Sequence, residues 1–283
     1  MKRKRRRLPA LLIVLLCLLL PGFVNPLRIV RYEVKAEGLS RPIRIALVTD
    51  LHACAYGRDQ RKLLDAVEEQ APDLILLGGD IFDDKLPDEK AAVFLGEISR
   101  KYPCFYVTGN HEYWSGEAGF KEKMAELEAC GVRRLSGEAV SVDADGTVML
   151  CGVDDPDAWG SSRGYTEHRD GSFREQLLQA AAQAEDGRFT ILLTHRPEQL
   201  EVYALLGFEL VLAGHAHGGQ WRIPGVLNGL YAPDQGLFPP YAGGRYELDG
   251  TVMIVSRGLA RESTRVPRFY DRPELVIVDL ITA

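Results

Sequence analysis

In the stretch Ile43-Arg44-Ile45-Ala46-Leu47-Val48-Thr49-Asp50-Leu51-His52, five apolar residues around one arginine make a buried-strand pattern. That strand runs directly into Asp50 and His52, two side chains that carry chemistry. The same order of events recurs twice downstream. Leu74 to Leu77 ends in Gly78-Gly79-Asp80, and Phe105-Tyr106-Val107 ends in Gly109-Asn110-His111-Glu112. Helical periodicity fills the gaps. Leu63, Leu64 and Val67 share a face of Arg61 to Gln70; Ala91, Phe94, Leu95 and Ile98 share a face of about Asp88 to Arg100. Phe120, Met124 and Leu127 do so in Glu117 to Ala129. Three rounds of strand, polar motif and helix predict an α/β sheet with its ligands at the carboxyl ends of strands.

The second half repeats the theme. Thr147 to Gly152 reads as a strand, Phe173 to Ala184 as a helix, and Thr190 to Leu193 as a strand ending in Thr194-His195. A helix lies around Glu198 to Leu206, and Phe208 to Ala213 is a strand ending in Gly214-His215-Ala216-His217-Gly218-Gly219. Thr251 to Val255 and Glu274 to Ile281 close the chain as strands. Upstream, Val30, Tyr32, Val34 and Ala36 alternate with charged residues, the pattern of an edge strand with one wet face. The segments Asp154 to Ser172 and Gln220 to Gly244 lack a period and read as loops over the strand ends.

Collected, the strand-end residues are Asp50, His52, Asp80, Asn110, His111, His195, His215 and His217. Five of the six histidines fall in this set, and only His168 lies outside it. Oxygen and imidazole donors without a thiolate suit Mn²⁺, Fe²⁺ or Zn²⁺ rather than Ca²⁺ or an iron–sulfur cluster. Even seven of these eight donors exceed the need of one zinc and suit two divalent metal ions sharing a carboxylate. Such a pair clamps a phosphoryl group and lowers the pKa of a shared water until hydroxide forms at neutral pH.

These motifs resemble, in order, the five motifs of the calcineurin-like metallophosphoesterases: Asp50-x-His52, Gly79-Asp80, Gly109-Asn110-His111-Glu112, His195 and Gly214-His215-x-His217. The resemblance runs from about Ile43 to the C-terminus. It implies a four-layer α/β/β/α sandwich. It also implies that Asp50, His52, Asp80 and His217 hold one metal, with Asp80 bridging to a second completed by Asn110, His195 and His215. His111 would orient the phosphate and protonate the leaving group, and Glu112 would fix a histidine tautomer. Ala53, Cys54 and Ala216 depart from common family residues without removing a donor. Gly218-Gly219-Gln220 and Val255-Ser256-Arg257-Gly258-Leu259 look like the membrane-anchored bacterial branch. Its members are described as phosphodiesterases or as similar to UDP-2,3-diacylglucosamine pyrophosphatases.

The N-terminus agrees with an anchor. Lys2, Arg3, Lys4, Arg5, Arg6 and Arg7 precede Leu8 to Val24, which carries no charge, and Ala10 to Leu20 is apolar throughout. Seventeen residues make about 25 Å of helix, slightly short of a ~30 Å hydrocarbon core, so a cleaved signal peptide competes. Pro21 to Pro26 has no small-x-small cleavage site, and Leu15-Leu16-Cys17 lacks the small residue that precedes a lipidated cysteine; both favour an uncleaved anchor. The expected organisation is a basic N-terminus and single-pass anchor over 1–26, then a catalytic domain over 27–283. The positive-inside rule puts that domain on the extracytoplasmic side of the cell membrane, and the short connection holds it against the bilayer.

The chain is 46% apolar and 26% charged, an ordinary globular composition. Its net charge is −6; without the six N-terminal cations the remainder is near −12, which argues against nucleic acid as a partner. The five cysteines form no metal-binding spacing. Asp83 and Asp84 read as a turn or helix cap before extra ligands, Asp154, Asp155 and Asp157 as a turn, and His168 as a surface residue. Trp159, Trp221, Tyr231 and Phe238 lie in the two loops and either grip an acyl chain or a base or pack the loops.

The expected function is therefore a membrane-anchored dinuclear metal-dependent phosphoesterase acting on phosphodiester or phosphomonoester bonds, lipid-linked ones in particular. A pyrophosphatase acting on a UDP-2,3-diacylglucosamine-type glycolipid is the specific alternative. A noncatalytic membrane binding protein with the same fold is the alternative of another class, and it would be marked by a lost ligand or a lost His111. None is lost.

Overall fold

The computed structural model describes residue 17 and residues 19–160, 164–168, 170–184, 187–261 and 266–283. In chain order, β1 (Arg28–Ala36) and β2 (Ile43–Val48) lead to helix α1 (Arg61–Glu68), β3 (Leu74–Gly78), α2 (Glu89–Ile98) and β4 (Cys104–Val107). Next come α3 (Asn110–Trp114), α4 (Gly116–Ala129), β5 (Arg133–Arg134), β6 (Glu138–Ser141) and β7 (Val148–Gly152). They are followed by α5 (Phe173–Ala184), β8 (Phe189–Leu193), α6 (Leu200–Leu205) and β9 (Leu210–Ala213). Last are β10 (Tyr231–Ala232), β11 (Gly236–Leu237), β12 (Gly244–Leu248), β13 (Thr251–Val255) and β14 (Glu274–Thr282).

One six-stranded sheet has the order β1-β14-β2-β3-β4-β5 and the other β12-β13-β9-β8-β7-β6. Within the first, β2, β3, β4 and β5 run parallel; within the second, β7, β8, β9 and β13 do. Because side chains alternate across a strand, each sheet buries two faces. Leu47, Leu76 and Val276 of the first sheet meet Leu150, Ile191 and Leu212 of the second in one core between the sheets. Their strand neighbours Val48, Leu77 and Ile277 point outward to Leu64, Phe94 and Leu127 of the first sheet's helices. Cys151, Leu192 and Val211 do the same toward Leu177 of α5 and Tyr203 of α6. The layers thus run helix, sheet, sheet, helix. At about 1.5–3 kcal/mol for each buried large aliphatic or aromatic side chain, these three clusters dominate the stability of the fold.

Short elements departed from the sequence reading. Helix α3 begins at Asn110, inside what reads as a terminal motif, because Gly109 is extended (φ −111°, ψ −176°) and Glu112 returns to its amide. The predicted loop Gln220 to Gly244 contains the two-stranded β10–β11 ladder. Strand β12 pairs antiparallel with β13 at an edge, alternating half-buried with exposed residues, too short and too polar to stand out.

Most of the segment read as an anchor lies outside the described residues. Among the described residues no helix is long and apolar enough to cross a membrane. The end of that segment is described: Leu20–Phe23 form one 3₁₀ turn, with Leu20, Phe23 and Val24 exposed.

Candidate metal centre

Asp50 and His52 leave β2, Asp80 leaves β3, and Asn110 and His111 open α3 just past β4. His195 leaves β8, and His215 and His217 leave β9. Parallel pairing brings these carboxyl ends to one edge of the sandwich, so the two sheets contribute to a single site. The exits turn sharply. Asp50, His52, Asp80, His215 and His217 have φ of 51°, 48°, 51°, 66° and 46°, a left-handed conformation that costs a non-glycine residue energy and that clusters at functional sites. Asp50 and His52 donate their amides to Gly79 and Asp80 carbonyls at 3.0 and 2.9 Å, knitting the first two exits together. Gly214 makes the sheets' close approach possible: a Cβ there would sit 2.6 Å from Asp50 Oδ2.

Ligand atoms of Asp50, His52, Asp80 and His217 lie within 4.8 Å of one another, and those of Asp80, His195 and His215 form a second such group. Asp80 belongs to both. Its Oδ2 is 3.5 Å from His52 Nε2 and 3.2 Å from His195 Nε2, and His215 Nδ1 is 3.2 Å from His195 Nε2. Asn110 faces the same cavity as Asp80. His52 Nε2, Asp80 Oδ2, Asn110 Oδ1 and His217 Nδ1 are buried without a hydrogen-bond partner. A buried polar atom left unpaired costs about 1–3 kcal/mol, so this concentration of them fits bound cations.

The far nitrogens of the histidines are occupied. His52 Nδ1 meets Asp83 Oδ2 at 2.9 Å, His195 Nδ1 meets the Gly78 carbonyl at 2.8 Å, and His215 Nε2 meets Asp234 Oδ2 at 2.9 Å. A proton donated to Asp83 and to the Gly78 carbonyl leaves the opposite nitrogens of His52 and His195 as lone pairs facing the cluster, the arrangement that orients metal-binding imidazoles; His215 Nε2 is shared between Asp234 and the donor Arg196 Nη1 at 3.0 Å. His111 Nδ1 is held in the same way by Asp84 Oδ1 at 2.7 Å, with its ring 4.6 Å from that of Trp114.

Electrostatics point the same way. Burial disfavours charge on His195, but Asp80 and Asp50 outweigh it and push its pKa up to about 10. His111 is pushed up to about 9: burial opposes, and Asp80, Asp84 and Asp83 prevail. The buried carboxylates therefore favour positive charge at this spot. Burial holds His215 down to about 4, with Arg196 adding to it, and holds His217 well below its usual value, with His52 adding to it. Both are neutral at pH 7, the form that binds metal.

Several sequence readings need correction. Among the described residues Glu112 is hydrogen-bonded to no histidine; it is fully buried and accepts from the amides of Gly109, Asp80 and Phe82 at 2.8, 3.1 and 3.1 Å. It fixes the backbone around Asp80, because an inward carboxylate on the first turn of α3 finds amides nearer than any ring. Asp83 does cap a turn, accepting from Lys85 and Leu86 amides, but its second oxygen holds His52. Asp154 and Asp155 are more than turn residues. Asp154 is buried against Arg134, and Asp155 grips Arg196 through both oxygens at 2.5 and 2.8 Å. His168 is half-buried and bonded to Asp154 at 3.1 Å.

The cavity over the cluster has a volume of about 650 Å³ and is lined by Asp80, Asn110, His111, Trp114, Arg196, His215 and His217. Both predicted loops reach it, through Pro156, Asp157 and Gly160 and through Tyr231, Pro233 and Asp234. Arg196 and Asp234 were not singled out from sequence. Adjacency to His195 was a usable signal for Arg196, whereas Asp234 sits in a Pro- and Gly-rich loop with nothing to mark it.

Fold and donor set together define a metal-dependent hydrolase with a centre suited to two divalent cations. A calcineurin-like phosphoesterase family model matches residues 43–219. An uncharacterized metallophosphoesterase of Aquifex aeolicus is 30% identical over 261 residues, covering 90% of this chain and 92% of its own length. The chain belongs to the calcineurin-like phosphoesterase family. A Bos taurus transmembrane protein with metallophosphoesterase domain is 29% identical across 91% of this chain and 59% of its own length. A solved dimetal phosphatase from Danio rerio is similar at TM-score 0.48 and 14% identity, over 77% of this chain and 88% of that one.

Proposed function

We propose that this protein is a membrane-anchored phosphoesterase that hydrolyses phosphodiesters by means of two divalent metal ions. Asp50, His52, Asp80 and His217 would hold one ion, and Asp80, Asn110, His195 and His215 the other. The observation that carries this reading is Asp80, a member of both donor groups whose buried Oδ2 has no hydrogen-bond partner. Divalent cations bound there supply Lewis acidity toward phosphate oxygens and make water acidic enough to attack phosphorus.

The chain's own groups do the rest. Asp83 and the Gly78 carbonyl hold the imidazoles of His52 and His195 in their tautomers, and Asp234 holds the His215 ring in place. His111, fixed through Nδ1 by Asp84 and lining the cavity, gives a proton to the leaving oxygen. Trp114 walls the cavity beside it. Membrane attachment by the basic and apolar N-terminus, with the catalytic body outside the cytoplasm, is supported by Lys2 to Arg7 and the uncharged run after them. The polar cavity beside exposed apolar loops favours a lipid-linked ester.

Asp80→Asn tests the assignment. Metal content should fall from about two ions per chain, and turnover of bis(p-nitrophenyl) phosphate should drop by more than about 10³-fold while circular dichroism is unchanged. Undiminished turnover would sink the assignment.

A further inference from the structure

Behind Tyr231 lies a second hollow of about 300 Å³, lined by Gly219, Gln220, Trp221, Leu230, Tyr231 and Val266. Tyr231 also lines the catalytic cavity, so the two hollows adjoin at this residue. Their chemistries are opposite. Carboxylates, imidazoles and Arg196 surround the first, whereas the accessible wall of the second is apolar throughout.

The hollow does not stand alone. Leu237 pairs with Tyr231 in the β10–β11 ladder, and the Phe238 amide donates to the Leu230 carbonyl at 2.8 Å. Both apolar side chains are left about two-thirds exposed. On the other side, Trp221 packs on Phe269 with ring centroids 5.5 Å apart, and Phe23 packs on the same ring at 5.1 Å. The N-terminal apolar run thus enters the fold beside this hollow. Exposed apolar surface that is continuous with a polar cavity marks a binding site for something with both characters.

We infer that the hollow bounded by Trp221, Leu230, Tyr231 and Val266 seats a hydrocarbon chain of the substrate while its phosphate lies in the catalytic cavity, so that the substrate is an amphiphilic phosphate ester. The chain passes over Tyr231, and hydrocarbon burial contributes to substrate affinity. This inference rests on the phosphoesterase reading and adds to it the class of ester. Complete burial of a methylene is worth about fourfold in affinity; a hollow open along one side gives about twofold.

The experiment uses the full chain in detergent and a series of alkyl p-nitrophenyl phosphate diesters from methyl to octyl, each kept below its micelle-forming concentration. The expected result is a kcat/KM that rises about twofold per methylene, and a Val266→Asp variant that hydrolyses the methyl ester at the normal rate but loses the slope. A second readout needs no turnover: 8-bromooctylphosphonate should quench Trp221 fluorescence and methylphosphonate should not, with the effect lost in Trp221→Phe. A flat chain-length profile in an active enzyme, or a slope that survives Val266→Asp, overturns the hollow as the chain's seat. Quenching without hydrolysis of any ester would instead overturn the phosphoesterase reading and leave the hollow intact.

Discussion

Replacing Asp83 by asparagine changes one atom that matters. Oδ1 of Asp83 accepts from the Lys85 and Leu86 amides at 2.8 and 2.9 Å, and Oδ2 faces His52 Nδ1 at 2.9 Å. In Asp83→Asn the side-chain oxygen keeps the two amides, and an NH₂ group meets the imidazole. Nδ1 must then accept, which moves the ring proton to Nε2, the buried unpartnered atom 3.5 Å from Asp80 Oδ2. A nitrogen carrying that proton cannot bind a cation until it gives it up. A hydrogen bond to a charged group, worth about 1.5–3 kcal/mol, gives way to a neutral one worth about 0.5–1.5 kcal/mol. Loss of such an orienting partner typically weakens metal binding about 10–100-fold. The expected outcome is a loss of that size for the ion held with His52, with the ion near His195 and His215 changed less than about threefold. Calorimetric titration of the metal-stripped protein with Mn²⁺, together with bound-metal analysis, resolves the two. Urea unfolding in chelator should stay within about 1 kcal/mol of the parent, because the turn bonds survive. Two ions bound at parental affinity would refute the tautomer argument, and equal weakening of both would show that Asp83 acts through the backbone instead.

His111→Ala should lower kcat by about 10²–10⁴ on esters with alkoxide leaving groups and much less on p-nitrophenyl esters, whose leaving group needs no proton; steady-state kinetics on the two substrates checks this. Arg196→Ala strands the fully buried Asp155 carboxylate without its bidentate partner and should cost about 3–5 kcal/mol in urea unfolding. The His168–Asp154 pair gives a pH dependence of defined sign. The hydrogen bond to Asp154 raises His168 above its usual pKa; burial raises Asp154, but Arg134 and His168 more than offset it and hold it low. The His168 contribution to stability is complete below about pH 6.5 and is lost as pH rises through its raised value. That of Asp154 is present at neutral pH and is lost as pH falls through its depressed value. His168→Gln should flatten the decline that sets in above about pH 6.5 in chemical unfolding.

Strand ends were the readable part of this chain. Runs such as Ile43 to Val48 and Leu210 to Ala213 are buried on both faces, so hydrophobicity alone located them, and a polar residue straight after such a run had to emerge at a sheet edge. The converging donors were therefore visible before any coordinates. What held them was not. Asp83 looked like a cap and is one, and only the fold shows its second oxygen on His52. Asp234 is 19 residues beyond His215 in a loop without periodicity, and its contact depends on the β10–β11 turn. The family resemblance implied that Glu112 partners an imidazole, yet helix α3 turns its carboxylate toward three amides.

Strand β14, the last element of the chain, lies between β1 and β2, and Arg28 is paired with Glu274 across 246 residues of sequence. Until β14 is in place, β1 has no neighbour among the described strands and β2 presents a bare apolar edge to any other chain nearby. Contacts between elements so far apart in sequence are the slowest kind to make, and the polypeptide stays open to wrong pairing until β14 docks between β1 and β2.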